Sequence, residues 1–257
     1  MANVLVCVKR VPGSSGEVLL TSDAMSVDAK YVGYMMSPHE ECAVELAIQI
    51  AADTDGEATV LSLGSDDSIE QMRDALAVGC KAGVLIEADA AGYGPADVAG
   101  AIADVVTAHA AQGKTYDLVL LGNDAADSGD FQVGIRLAYE LDRPVVVGIS
   151  TITVADGVAV ANGQGPGGVT ETFEVPLPAV VTVLEGGVEP RYPSIPGRMK
   201  AKKAPVEYVT PERAPVGTGR VKLSLPPAAP STVTKLGEGK DAAPVVVETL
   251  MKMGVLR

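Results

Sequence analysis

The chain offers few residues for chemistry. It has two histidines, His39 and His109, and three cysteines, Cys7, Cys42 and Cys80. The cysteines are odd in number, widely spaced and contain no CxxC pair, which argues against a disulfide framework or a zinc site and for a reducing cytoplasm. They read as buried, inert thiols. His39 stands at a helix start beside Glu40 and Glu41, so a first-turn contact is its expected role. His109 lies in an Ala-rich helical stretch and reads as a surface or half-buried residue. No Ser/His/Asp or Cys/His constellation can be assembled, and no catalytic residue is assigned. Neither GxGxxG after the first strand nor GxxxxGK[ST] occurs in its proper context. Gly163–Gly168 (GQGPGG) has the spacing of the first, but no helical pattern follows, and a hairpin turn is the expected role.

The informative stretch is Gly122-Asn123-Asp124-Ala125-Ala126-Asp127-Ser128-Gly129-Asp130-Phe131-Gln132-Val133-Gly134. It follows the apolar run DLVLL (Asp117–Leu121) and opens a helix predicted over Phe131–Leu141. Free N–H groups at a helix start can receive a phosphate. Gly129 and Gly134 let backbone approach a ligand closely. Asp127 and Asp130 either cap the helix or hold ribose hydroxyls. The pattern points to a nucleotide monophosphate site.

The elements that must position this loop alternate. Apolar β-rich runs at 3–8, 58–63, 83–86, 117–121 and 144–147 alternate with helical patterns at 39–52, 69–78 and 97–111. Asp66 and Asp67 sit at the start of the second helix and Gly79 at its end. This rhythm predicts an α/β fold with a mostly parallel, doubly wound sheet, whose ligands sit beyond the carboxyl ends of the strands. After residue 148 the rhythm changes. Thr151–Val154 and Val158–Ala161 flank Asp156-Gly157, a hairpin signal, and Val169–Val175 and Ala179–Leu184 read as two further strands.

Composition is consistent with this. Hydrophobic residues make up 47% and charged residues 21%; aromatics are 4% and Trp is absent, so the core must be aliphatic. The first apolar run is too short for a secretory leader, and no stretch approaches the roughly 20 residues that span a bilayer. A net charge of −13 disfavours nucleic acid and anionic membranes as partners. Arg191, Arg198, Lys200, Lys202 and Lys203 form a basic island within that acidic chain. From Glu189 the sequence is Pro-rich and weakly periodic, and it closes with a short helix predicted over Ala243–Met253. Val245, Val247, Leu250 and Met253 suggest that another chain holds this tail.

Several segments together resemble the beta subunit of electron-transfer flavoproteins: VLVCVKRV at the start, Met36-Ser37-Pro38 with Ala43-Val44-Glu45, ALAVGCKAG at 75–83, DLVLLGNDAADSGDFQVG, and LPAVVTVLEGGVEPRYPSIPGRMKAKK at 177–203. The resemblance implies an adenine-nucleotide alpha-hydrolase-like sheet with added β-hairpin strands. The domain would be residues 1–205, followed by an extended C-terminal arm, 206–257, packing on the alpha subunit. It implies a cytoplasmic electron carrier, not an enzyme, that binds AMP and helps enclose the FAD of a partner alpha subunit. Nucleotide contacts would come from Cys7, Lys9, Ser37, Pro38, His39, Glu40, Leu63 and the loop from Gly122 through Val133. Arg191, Tyr192, Ile195 as an apolar anchor, Lys200, Lys202 and Lys203 would meet acyl-CoA dehydrogenases, and a membrane quinone oxidoreductase would accept the electrons. Two features depart from the pattern: Ser14 stands where some members carry an aromatic, and Ala161–Gly168 holds no clear match to an acidic residue. The Gln132-Val133-Gly134 ending also fits bifurcating members with a second FAD in place of AMP.

Overall fold

The computed structural model describes residues 1–13, 18–227 and 233–256, so the Ser14 position lies outside it. In chain order the elements are β1 (Val4–Cys7), β2 (Val11–Pro12), β3 (Tyr34–Met35), α1 (Pro38–Asp53), β4 (Ala58–Gly64), α2 (Ile69–Val78), β5 (Ala82–Glu87), α3 (Pro95–Ala111) and β6 (Leu118–Gly122). There follow α4 (Val133–Glu140), β7 (Val145–Ala155), β8 (Val158–Gln164), β9 (Thr170–Pro176), β10 (Ala179–Val183), α5 (Ile195–Ala201), β11 (Val206–Val209) and α6 (Ala243–Lys252).

Nine strands form one sheet in the order β11-β5-β4-β1-β6-β10-β7-β8-β9. It is parallel from β11 to β7, and antiparallel where β8 and β9 extend it. The expected doubly wound α/β sheet is therefore present. Its central strands are buried on both faces, which is why they read as unbroken apolar runs. Alternate residues face opposite layers. Val4, Val6, Val60 and Leu120 pack with α1 and α2, while Leu5, Leu61, Val119 and Val84 pack with α3 and α4.

The later strands depart from the expectation. The runs at 144–147 and 151–154 are one strand, β7, because Gly148 (φ 69°) carries the chain through a bulge between them. Ala179–Leu184 is a strand as expected, β10 (Ala179–Val183), and it lies centrally and parallel between β6 and β7. Asp156 and Gly157, with φ of 50° and 78°, make the tight β7–β8 turn that Asp-Gly favours.

One residue lies deeper than its pattern suggested. His109 is 3% exposed: its Nδ1 is 2.9 Å from the Tyr116 hydroxyl and its Nε2 is 3.1 Å from Glu207 Oε2. Glu207 belongs to β11, which pairs in parallel with β5. The sheet thus continues past residue 205, and the first compact unit runs from Met1 to Leu223. Ser224–Arg257 forms a second unit, in which Val245, Val247, Met251 and Met253 of α6 and its end are exposed. All three cysteines are free and buried. No described helix is long and apolar enough to cross a membrane.

The segment after β10 is anchored to α1. Glu45, itself buried, accepts from the Arg191 backbone N–H (3.1 Å), from Nε (2.7 Å) and from Nη2 (2.6 Å), and from Gln49 Nε2 at 2.7 Å. Burial alone would push the Glu45 carboxyl up; the bonds from Arg191 and Gln49 outweigh it and hold the carboxyl below its usual range. Breaking such a pair strands the buried carboxylate. Arg191→Ala should lower stability by about 2 kcal/mol, moderated by the half-exposed arginine, and urea unfolding at neutral pH would measure the loss.

Candidate functional site at the carboxyl ends of β1 and β6

From β1 the chain passes through α1 to β4 on one side, and after β5 it crosses through α3 to β6 on the other. The switch point therefore lies between β1 and β6, where open α/β sheets bind ligands. Three segments meet there: Val8-Lys9 leaving β1, Ser37–Glu40 opening α1, and the loop leaving β6 at Gly122.

Local sequence dictates the α1 start. Ser37 is the extended N-cap residue, Pro38 occupies the first helical position, and Glu40 is the third. One Glu40 oxygen accepts the Ser37 N–H at 2.9 Å, and the other accepts the Lys9 N–H at 2.8 Å. Ser37 Oγ is buried beside Glu40, with no contact of full hydrogen-bond geometry among the described residues. Gly122 lets this corner close. A Cβ there would stand 2.8 Å from Glu40 Cγ and 3.2 Å from His39 Cβ.

The loop is longer than expected. α4 begins at Val133, not Phe131, because Gly129 (φ 60°) and Phe131 (φ 55°) are left-handed. For Phe131 that conformation costs on the order of 1 kcal/mol, and its ring is 55% exposed. Two side-chain contacts pull the loop onto the opposite wall. Lys9 Nζ lies 2.7 Å from Asp127 Oδ1, and His39 Nδ1 lies 2.7 Å from Asp124 Oδ1. The histidine contact is close but not aligned as a hydrogen bond. Asn123 is tied to β10: its N–H donates to the Val183 carbonyl (2.8 Å), and its Oδ1 accepts from Thr182 Oγ1 (2.6 Å). Thr182 in turn accepts the Gly148 N–H at 3.0 Å. Thr182 and Gly148 thus support the site, although nothing but a lone Thr in a Val-rich strand hinted at it.

The expected nucleotide residues mostly converge. Lys9, Ser37, Pro38, His39, Glu40 and the residues from Gly122 to Asp127 share this corner. Cys7 and Leu63 end neighbouring strands, and both face the α3 layer. Burial, then the charge of Glu40, pushes the Cys7 thiol up, so it is neutral. Gln132 is engaged elsewhere, its Oε1 accepting from Arg136 Nε (3.0 Å) and Nη2 (2.9 Å). Gly129, Asp130 and Phe131 lie exposed on the outer part of the loop, and Val133 is partly buried. A Gly-lined strand end, the start of α1 and the amino group of Lys9, itself paired with Asp127, fit a phosphate-bearing ligand. Among the described residues no cluster could hold a metal ion.

The expected partner residues fall on and around α5. Tyr192 is 92% exposed and Ile195 81% exposed; Met199, one turn later, is 59% exposed and was missed. Ser194 caps α5 through the Gly197 N–H at 3.1 Å. Lys200, Lys202 and Lys203 are exposed beside the apolar group. Arg198 Nη1 is 3.3 Å from Asp74, and Arg191 is committed to Glu45 as described above.

Burial raises the Glu40 carboxyl to about 7, against the lowering effect of the Ser37 and Lys9 bonds. The folded protein then keeps a proton that the unfolded chain has lost from about pH 4.5 upward. Stability should fall as pH rises from about 4.5 to about 7, by roughly 3 kcal/mol from this group. Glu40→Gln should flatten that slope in urea unfolding measured between pH 5 and pH 8, while losing one of the two acceptors.

Comparison with known proteins identifies the family. The family model for the electron transfer flavoprotein domain matches residues 24–214. The chain is 37% identical to the electron transfer flavoprotein subunit beta of Syntrophomonas wolfei, covering 88% of this chain and 86% of that one. It is 35% identical to the human subunit beta, covering 81% of each. It is 32% identical to the caffeyl-CoA reductase-Etf complex subunit CarD of Acetobacterium woodii, over 79% of this chain and 76% of that one. The beta-subunit names describe electron-transfer subunits, as expected for a carrier and not an enzyme. With the family model and these identities both running over most of its length, this chain belongs to the electron transfer flavoprotein family, as a beta subunit.

Proposed function

We propose that this beta subunit pairs with an alpha subunit, holds AMP as a structural nucleotide at the ends of β1 and β6, and forms one wall around the FAD of its partner. FAD supplies the electron-accepting and electron-donating chemistry when bound; the residues of this chain bind and orient. The observation that carries the AMP reading is the switch-point corner, where the exit of β1, the start of α1 and the loop after β6 meet, drawn together by Glu40, Gly122 and the Lys9–Asp127 contact. Electrons would arrive from acyl-CoA dehydrogenase-type flavoenzymes and leave to a membrane quinone oxidoreductase, with the complex in the cytoplasm. The apolar group Tyr192, Ile195 and Met199 with its lysine rim supports a transient redox contact. The exposed apolar face of α6 supports packing of the C-terminal arm on the alpha subunit.

A second reading replaces AMP by a second FAD and makes the complex electron-bifurcating. It is favoured by the Gln132-Val133-Gly134 loop ending and by the relative whose name places it in a reductase complex. Co-purification with the alpha subunit, followed by extraction and mass identification of the nucleotides, separates the two. One FAD and one AMP per heterodimer are expected. Two FAD would establish the second reading, and recovery of no nucleotide would sink both.

The docking role makes its own prediction. Ile195→Ala should reduce kcat/KM for electron transfer from an acyl-CoA dehydrogenase about tenfold, as expected for loss of an interface anchor. Lys200→Ser with Lys203→Ser should mainly slow association and weaken its salt dependence. Stopped-flow flavin reduction at two ionic strengths reads both effects.

A further inference from the structure

The short helix α5 is built inside out. An ordinary surface helix turns its larger apolar side chains to the core. In α5 the larger pair, Ile195 and Met199, stand four positions apart on one face, and both are exposed. The opposite face carries the two smallest residues, Gly197 and Ala201. Ala201 is buried in the apolar layer that also holds Ala75 and Leu76 of α2. Gly197 meets the backbone of α2 directly. A Cβ there would run into the carbonyl oxygen of Ala77, and would stand 3.2 Å from Ser194 Oγ, the hydroxyl that caps α5. Ala77 lies in the last turn of α2, and backbone cannot yield as the tip of a flexible side chain would. The remaining tie between the two helices, Arg198 to Asp74 at 3.3 Å, joins two exposed side chains and fixes little.

We propose that Gly197 is a positioning residue for docking: it lets α5 lie directly on the α2 backbone, and so sets the height and direction at which Ile195 and Met199 stand out from the surface. This rests on the docking reading above. Helix propensity alone predicts the opposite role. Gly weakens a helix relative to Ala, so Gly197→Ala would ordinarily firm α5 and improve the display of its anchor. The close approach to Ala77 reverses that sign. An added methyl group must lift or tilt α5 away from α2, and either movement carries Ile195 with it. A displacement on the order of 1 Å is enough to spoil a preorganised contact. The small residues at 197 and 201 thus serve the large ones at 195 and 199, by holding their helix against a rigid support.

The test uses the co-purified heterodimer with its flavin, reduced by an acyl-CoA dehydrogenase in stopped flow. Gly197→Ala should lower kcat/KM about five- to tenfold, mainly through KM for the heterodimer, approaching the loss expected for Ile195→Ala. Flavin content, and reoxidation of the reduced flavin by a small artificial acceptor that needs no docking, should match the wild type. Because Gly197 acts through the anchor, the double variant Ile195→Ala with Gly197→Ala should be no more than about twofold worse than Ile195→Ala alone. Ala201→Val crowds the same inward face from the other end of α5 and should act in the same direction; if the Gly197→Ala heterodimer does not assemble, this variant decides by the same criteria. A Gly197→Ala heterodimer that docks as well as the wild type, or better, would overturn the inference. So would full additivity with Ile195→Ala. If Ile195→Ala itself leaves kcat/KM unchanged, the docking reading falls, and this inference falls with it.

Discussion

A single buried carboxylate organises the functional edge of this protein. Glu40 accepts one N–H from the exit of β1 and one from the start of α1, and so joins the first strand to the first helix where a ligand would approach. Burial makes its charge costly and raises it to about 7, yet its two oxygens satisfy two backbone donors that would otherwise be orphaned. The glycine at 122 exists for the same corner. With a side chain there, the end of β6 could not come this close to Glu40 and His39.

Around that corner the fold uses loop charges to place a long connection. Asp124 and Asp127 reach back to His39 and Lys9, while Asn123 is pinned to β10 through Thr182. The loop is thus held on three sides without belonging to any regular element. Its outer part, from Gly129 to Gln132, accepts two left-handed residues and an exposed phenylalanine ring. Strain and exposure together are typical of residues kept for recognition rather than for stability.

Away from this corner, the chain separates anchoring from display. Arg191 is spent on Glu45, fixing the segment after β10, while Tyr192, Ile195 and Met199 remain exposed on and around a short capped helix. An arginine that looked like part of a basic docking patch is instead the internal tie that holds the patch in place. His109 behaves similarly: its ring fastens β11 to α3 through Glu207.

Most of the sheet was legible because its strands are buried on both faces and its helices carry one apolar side, so local periodicity reports their type directly. The nucleotide loop was legible as a position, since it follows an apolar run and precedes a helix. Pairing over long sequence separations was not legible. Nothing local reveals that Glu207 seeks His109, that Thr182 supports Asn123, or that β10 inserts between β6 and β7. The late strand β11 was hidden because its two faces are only partly buried, which leaves a weak pattern. The sequence by itself determined the layered α/β class and the residues at the strand end. Only the tertiary structure decided which of their charges are already matched, because an ion pair depends on distance in space, and the chain brings residues 9 and 127 together from 118 positions apart.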